Sequence, residues 1–124
     1  LELDAASAQA HTLLGSVLLE RRQLQDAEEG FRRALALDGG LPGAQVGLAV
    51  ALMEQGRHQE ALAPAQRYAE LAAQDPQAHL LLAEVYEALG DTEQAAAERA
   101  VASSLQAPTT ATTSGDGADR PAKQ

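Results

Sequence analysis

Small and branched apolar residues return along this 124-residue chain in the same order every 34 positions. Four positions carry one residue in three successive copies: Ala10, Ala44 and Ala78; Leu14, Leu48 and Leu82; Ala27, Ala61 and Ala95; Leu37, Leu71 and Leu105. Others carry similar residues, as in Gly15, Ala49 and Ala83, or Leu18, Leu52 and Tyr86, and no gaps are needed. Turn signals divide each copy into two helices. Asp75-Pro76 sets an N-cap before a first-turn proline, and Pro42 opens the preceding copy in the same way. Gly56 and Gly90 supply the left-handed residue that ends a helix. Asp91-Thr92-Glu93-Gln94 resembles a capping box. The pattern predicts first helices over roughly 7–21, 42–55 and 76–89 and second helices over roughly 24–37, 58–73 and 91–106. Gly15, Ala49 and Ala83 on the first helices, and Ala27, Ala61 and Ala95 on the second, fall where paired helices must touch. Small side chains there let the backbones reach the close end of the ~8–10 Å range.

The 34-residue helix–turn–helix unit resembles the tetratricopeptide repeat. The first copy reads His11-x2-Leu14-Gly15-x2-Leu18, then Ala27-x3-Phe31; the second reads Gln45-x2-Leu48-Ala49-x2-Leu52, then Ala61-x3-Ala65. The third reads His79-x2-Leu82-Ala83-x2-Tyr86, then Ala95-x3-Arg99. His or Gln stands where the family usually has Trp, and Phe survives once. In the second copy the large residue moves to Tyr68 as the equivalent of Phe31 shrinks to Ala65. Pro64 deletes a hydrogen bond to the Glu60 carbonyl, so a local kink is expected. The resemblance covers about residues 8–108. It implies an all-α fold, a right-handed superhelical solenoid of three tandem repeats at 8–41, 42–75 and 76–108.

The ends differ. Leu1-Glu2-Leu3-Asp4 matches Leu35-Ala36-Leu37-Asp38 at the repeat offset, so residues 1–7 read as the tail of a preceding repeat or as an N-terminal cap. In the first case the first helix presents an apolar flank that another helix normally covers. Arg99 and Ser103 give the last repeat the polar outer face on which an array stops. Residues 109–124 lose all periodicity and are rich in Pro, Gly, Ser and Thr, the composition of a disordered tail.

Composition narrows the chemistry. The chain has 28 Ala and 19 Leu against one Phe, two Tyr and no Trp, which argues against a sandwich or barrel. It lacks Cys, excluding disulfides, thiolate metal sites and a Cys nucleophile. No apolar run approaches the ~20 residues that span a membrane. The net charge of −9, with one Lys and eight Arg, makes nucleic acid and anionic lipid poor partners. The Ala and Arg content suggests a GC-rich bacterial genome, with cytoplasm and periplasm both allowed. His11 and His79 share one slot two repeats apart, roughly 20 Å or more, too far to hold one metal, and read as half-buried packing residues; His58 reads as a solvated turn residue. Glu20 and Glu54 recur at the repeat period and Glu84 and Glu87 lie one turn apart, but no base, nucleophile or oxyanion donor converges on them. Gly39-Gly40 and Gly115-x-Gly117 lack the context of a phosphate loop. No catalytic residue, cofactor or metal is expected.

Stacked helix pairs line a concave surface with their first helices, and in the family that surface holds peptides or partner helices. The resemblance places Gln9, Thr12, Leu13, Ser16, Leu19 and Glu20 of the first repeat there. The second contributes Gly43, Val46, Gly47, Val50, Met53 and Glu54, and the third Gln77, Leu80, Leu81, Glu84, Glu87 and Ala88. Leu13 and Leu81 are equally readable as core. Some relatives hold a chaperone's C-terminal carboxylate with Lys, Arg and Asn, whereas the corresponding slots here carry Thr12, Ser16, Gly47, Gln77 and Leu81. An apolar groove rimmed by acids suits an apolar segment flanked by Lys or Arg. The chain therefore reads as a protein–protein interaction module, part of a larger bacterial scaffold or assembly protein. The alternatives are self-association into a homo-oligomer through the flank near Leu1, Leu3 and Leu14, or a regulatory appendage of an upstream enzyme.

Overall fold

The computed structural model describes residues 2–113, with side chains from 6 to 106. Six helices follow one another: α1 (Glu2–Glu20), α2 (Leu24–Leu37), α3 (Pro42–Glu54), α4 (His58–Leu71), α5 (Pro76–Ala88) and α6 (Thr92–Thr113). Each packs on the next in sequence, and α1 also touches α3, so the chain is an all-α repeat solenoid of three helix pairs. The helix starts and stops follow the local chemistry. Asp75 accepts a hydrogen bond from the Gln77 amide and Pro76 takes the first turn of α5. Gly56 and Gly90 adopt φ of 77° and 85°, and Arg22 occupies the same slot at 65°. Pro64 lies inside α4, which runs from His58 to Leu71, and having no N–H it leaves the Glu60 carbonyl without its helical partner.

Two helix ends differ from the pattern. α1 begins five residues upstream of the expected start because nothing before Gly15 is glycine or proline. Leu35–Asp38 is followed by the Gly39-Gly40 turn, whereas Asp4 is followed by Ala5-Ala6, which propagate a helix. At the other end, residues 109–113 of the expected tail form the end of α6, since no glycine falls between Gly90 and Gly115. Residues 114–124 lie outside the described residues.

The core is built from the repeat columns. Ala27, Ala49, Ala61, Ala83 and Ala95 are all buried, and Phe31 is the largest fully buried side chain. A β-carbon on Gly30 would sit 3.4 Å from the Gly15 Cα, so α1 and α2 cross almost backbone to backbone. Leu48 and Leu82 are each 5% exposed and belong to the core, whereas Leu14, in the same column, is 53% exposed. Its neighbour Val17 is exposed with it, and the apolar flank expected on the first helix is present. Across the repeats, Glu28 of α2 accepts hydrogen bonds from Gln55 and Arg57 of the α3–α4 turn at 3.1 and 2.7 Å. Burial would raise the Glu28 pKa, but bonds from Gln55, Arg32 and Arg57 hold it below the ordinary carboxylate value. No described helix is long and apolar enough to cross a membrane.

Candidate functional site

The first helices lie along one side of the array, each backed by second helices. Their exposed faces differ between the two halves of that surface. On α3 and α5, Val46, Val50, Leu80 and Leu81 are half-buried, and Leu81 also packs on the core. Between them is a hollow of about 230 Å³ walled by Val46 of α3, Tyr68 of α4, and Gln77, Leu80, Leu81 and Glu84 of α5. Spacing along the first helices could not find Tyr68, which comes from a second helix. The signal for it was the shift of bulk from the Phe31 slot to Tyr68. Burial raises the Tyr68 phenol pKa, and the Asp75 carboxylate at its hydroxyl raises it further.

The α1 half is less uniform. Thr12 is buried and its Oγ1 donates to the Ala8 carbonyl at 2.8 Å, so it is a packing residue and not part of an open groove. Gly47 is buried beneath the Phe31 ring, which fills the space a side chain would occupy. These two slots look groove-facing by spacing alone; the one Phe in the chain closes one, and a hydroxyl satisfied within its own helix closes the other. Leu13 is 67% exposed, which settles it as surface. Leu19 and Met53 pack partly against the core, and His58 Nδ1 lies 3.3 Å from the Met53 sulfur at the start of α4. Gln9, Ser16, Glu20, Glu54, Gln77, Glu84 and Glu87 are exposed, as are Gly43 and Ala88.

The acidic rim is partly neutralised from outside the first helices. Arg22 Nη1 donates to Glu54 at 2.8 Å, and Arg99 donates twice to Glu87, at 2.6 and 3.2 Å. These bonds hold the Glu87 pKa down and the Arg99 pKa up. Glu20 and Glu84 have no ion-pair partner among the described residues. The free negative charge beside the hollow is therefore that of Glu84. On the far side of α5, His79 lies between two acceptors, 2.8 Å from Glu98 of α6 and 2.8 Å from the Ala73 carbonyl. No group of three or more described His, Asp or Glu side chains is placed to hold a metal. A second concavity, about 470 Å³, runs along α2 and is lined by Glu28, Glu29, Arg32, Arg33 and Arg57, whose charges are paired with one another.

Residues 2–106 match the family described as the cilia and flagella-associated protein 70 middle TPR-like domain. No curated protein matches the chain by sequence. Among solved structures, MamA superposes with a TM-score of 0.79 at 23% identity, covering 88% of this chain and 64% of that one. The second TPR of Spaghetti (RPAP3), bound to the HSP90 peptide SRMEEVD, gives 0.78 at 18% identity over 85% and 99%. The Yersinia enterocolitica type III secretion translocator chaperone SycD, in an alternative dimer, gives 0.75 at 17% over 86% and 85%. The chain spans about three fifths of the length of the MamA chains it matches. At these identities the likeness shows the fold.

Proposed function

The chain belongs to the tetratricopeptide-repeat family, and on that premise we propose that it is a protein–protein interaction module whose concave face takes a peptide or partner helix. The observation that carries this reading is the half-buried apolar floor of Val46, Val50, Leu80 and Leu81, of which Leu81 also packs on the core. Such side chains gain burial when a partner covers them, at about 25 cal/mol per Å² before the costs of association. The partner's charge follows from the rim. The Spaghetti relative holds the acidic peptide SRMEEVD; here Glu84 and Glu20 would repel such a ligand, and an apolar segment flanked by Lys or Arg is favoured.

The test is a paired pull-down with the wild-type chain and Val50→Lys/Leu80→Lys, after circular dichroism shows equal helicity. A protein retained by the first and lost by the second supports the groove. Identical lists from both overturn it. A second reading, self-association through α1, is favoured by the exposure of Leu13, Leu14 and Val17. Sedimentation showing a strict monomer at high concentration excludes it.

A further inference from the structure

The hollow between α3 and α5 is too small for a whole ligand. Small-molecule pockets run ~300–1,000 Å³; this one is about 230 Å³. Its walls are unequal in kind. Val46, Leu80, Leu81 and the Tyr68 ring supply the apolar part, and the polar atoms stand at Gln77 and Glu84. Tyr68 contributes its ring, which packs partly against the core. Glu84 is exposed and has no ion-pair partner among the described residues, whereas Glu87 on the same helix is held by Arg99.

We infer that this hollow is the anchor point of the groove: it seats one branched apolar side chain of a bound segment, while Glu84 pairs with a Lys or Arg one or two residues away in that segment. The inference rests on the groove reading above and narrows it. The size of the hollow limits the anchor to one side chain, and the charge left free at its edge selects the neighbour. An anchor followed by an acid meets Glu84 as a like charge, and Arg99, hydrogen-bonded to Glu87, acts on Glu84 only through space. A lone basic residue without the apolar anchor gains only an exposed ion pair, worth little by itself.

The test uses the full chain and three labelled seven-residue peptides, read by fluorescence polarisation. One carries Leu between two Arg, one Ser between two Arg, and one Leu between two Glu. The Leu/Arg peptide is expected to bind about three- to tenfold more tightly than either control. Glu84→Gln, an exposed substitution, should remove the preference for Arg over Glu, and Glu84→Lys should reverse it. Binding of the Leu/Arg peptide that Val50→Lys/Leu80→Lys abolishes, but that is indifferent to Glu84 and to the Leu→Ser change, overturns the anchor and leaves the groove standing. Binding unaffected by Val50→Lys/Leu80→Lys overturns both. Absence of binding by all three peptides up to about 1 mM overturns the anchor, and the pull-down then decides the groove separately.

Discussion

The edge of the Phe31 ring lies against Gly47, in the space a β-carbon there would need: its Cδ1 would be 2.8 Å away and two further ring atoms closer still. One repeat later the two slots exchange volume. The Phe31 slot holds buried Ala65, and the Gly47 slot holds Leu81, half-buried and packed on the same core. The first interface puts its bulk on the second helix and the next puts it on the first. That exchange leaves Leu81 free to wall the hollow on α5.

Gly47→Ala should destabilise the fold although alanine is the better helix former. Overpacking costs about 1–3 kcal/mol, against a helix gain of about 1 kcal/mol. Gly43→Ala on the same helix is the control, since its β-carbon would meet only the Thr12 methyl at 3.6 Å; it should stabilise. Adding Phe31→Leu to Gly47→Ala should recover part of the loss. Urea denaturation of the four proteins checks this, and equal effects of the two glycine changes would contradict it.

The left-handed turn residues isolate backbone strain from packing. A β-carbon at Gly56 or Gly90 meets nothing within 4 Å, so Gly56→Ala and Gly90→Ala should each cost about 1 kcal/mol through φ alone. Arg22 already carries that strain. Arg22→Gly should therefore raise the thermal midpoint, less the small contribution of the exposed Glu54 pair. A lower midpoint in Arg22→Gly would show that the ion pair outweighs the strain.

Leu14, Leu48 and Leu82 occupy one column of the repeat and differ only in what covers them. Leu48→Ala and Leu82→Ala should each cost about 2–5 kcal/mol. Leu14, 53% exposed, should lose well under half of that. Equal losses at all three would mean that something covers α1 in solution, and sedimentation of the wild type would identify a second copy.

His79 makes the stability depend on pH. Burial alone would lower its pKa, but the Glu98 carboxylate and the Ala73 carbonyl, with Asp75 nearby, hold it above the ordinary value of 6.5. An imidazole with an acceptor at each nitrogen is best satisfied when doubly protonated. The folded pKa exceeds the unfolded one, so this stabilisation is complete below about pH 6.5 and is lost as pH rises through the raised value. The stability difference between wild type and His79→Gln should hold steady up to about pH 6.5 and shrink above it, measured by chemical denaturation at a series of pH values. A difference that grows with pH would contradict the clip between α5 and α6.

Much of this was legible because the repeat is written in small residues. The alanine columns fixed which faces touch, and Pro42, Gly56, Asp75-Pro76 and Gly90 fixed most helix ends to within a residue or two. The start of α1 was not legible. Leu1–Asp4 spells like Leu35–Asp38, but what ends a helix is the residue that follows, and Ala5 differs from Gly39 there. Of the residues placed on that face by spacing, Val46, Leu80, Leu81 and Glu84 border the hollow, whereas Thr12 and Gly47 are buried, one by a hydroxyl bonded within its own helix and one by an aromatic ring. The pairing of its acids was not legible. Arg22 and Arg99 reach Glu54 and Glu87 across 32 and 12 residues, and long flexible side chains leave no such mark in the spacing.

The proposed groove holds its partner with the first helices around the hollow. Backbone amide shifts of the labelled chain, titrated with the partner recovered in the pull-down, test it most directly. The largest changes should fall at Val46, Val50, Leu80, Leu81 and Glu84, with the Glu29–Arg33 face of α2 unmoved. Changes concentrated on α2 and the α3–α4 turn, around Arg32, Arg33 and Arg57, would contradict it.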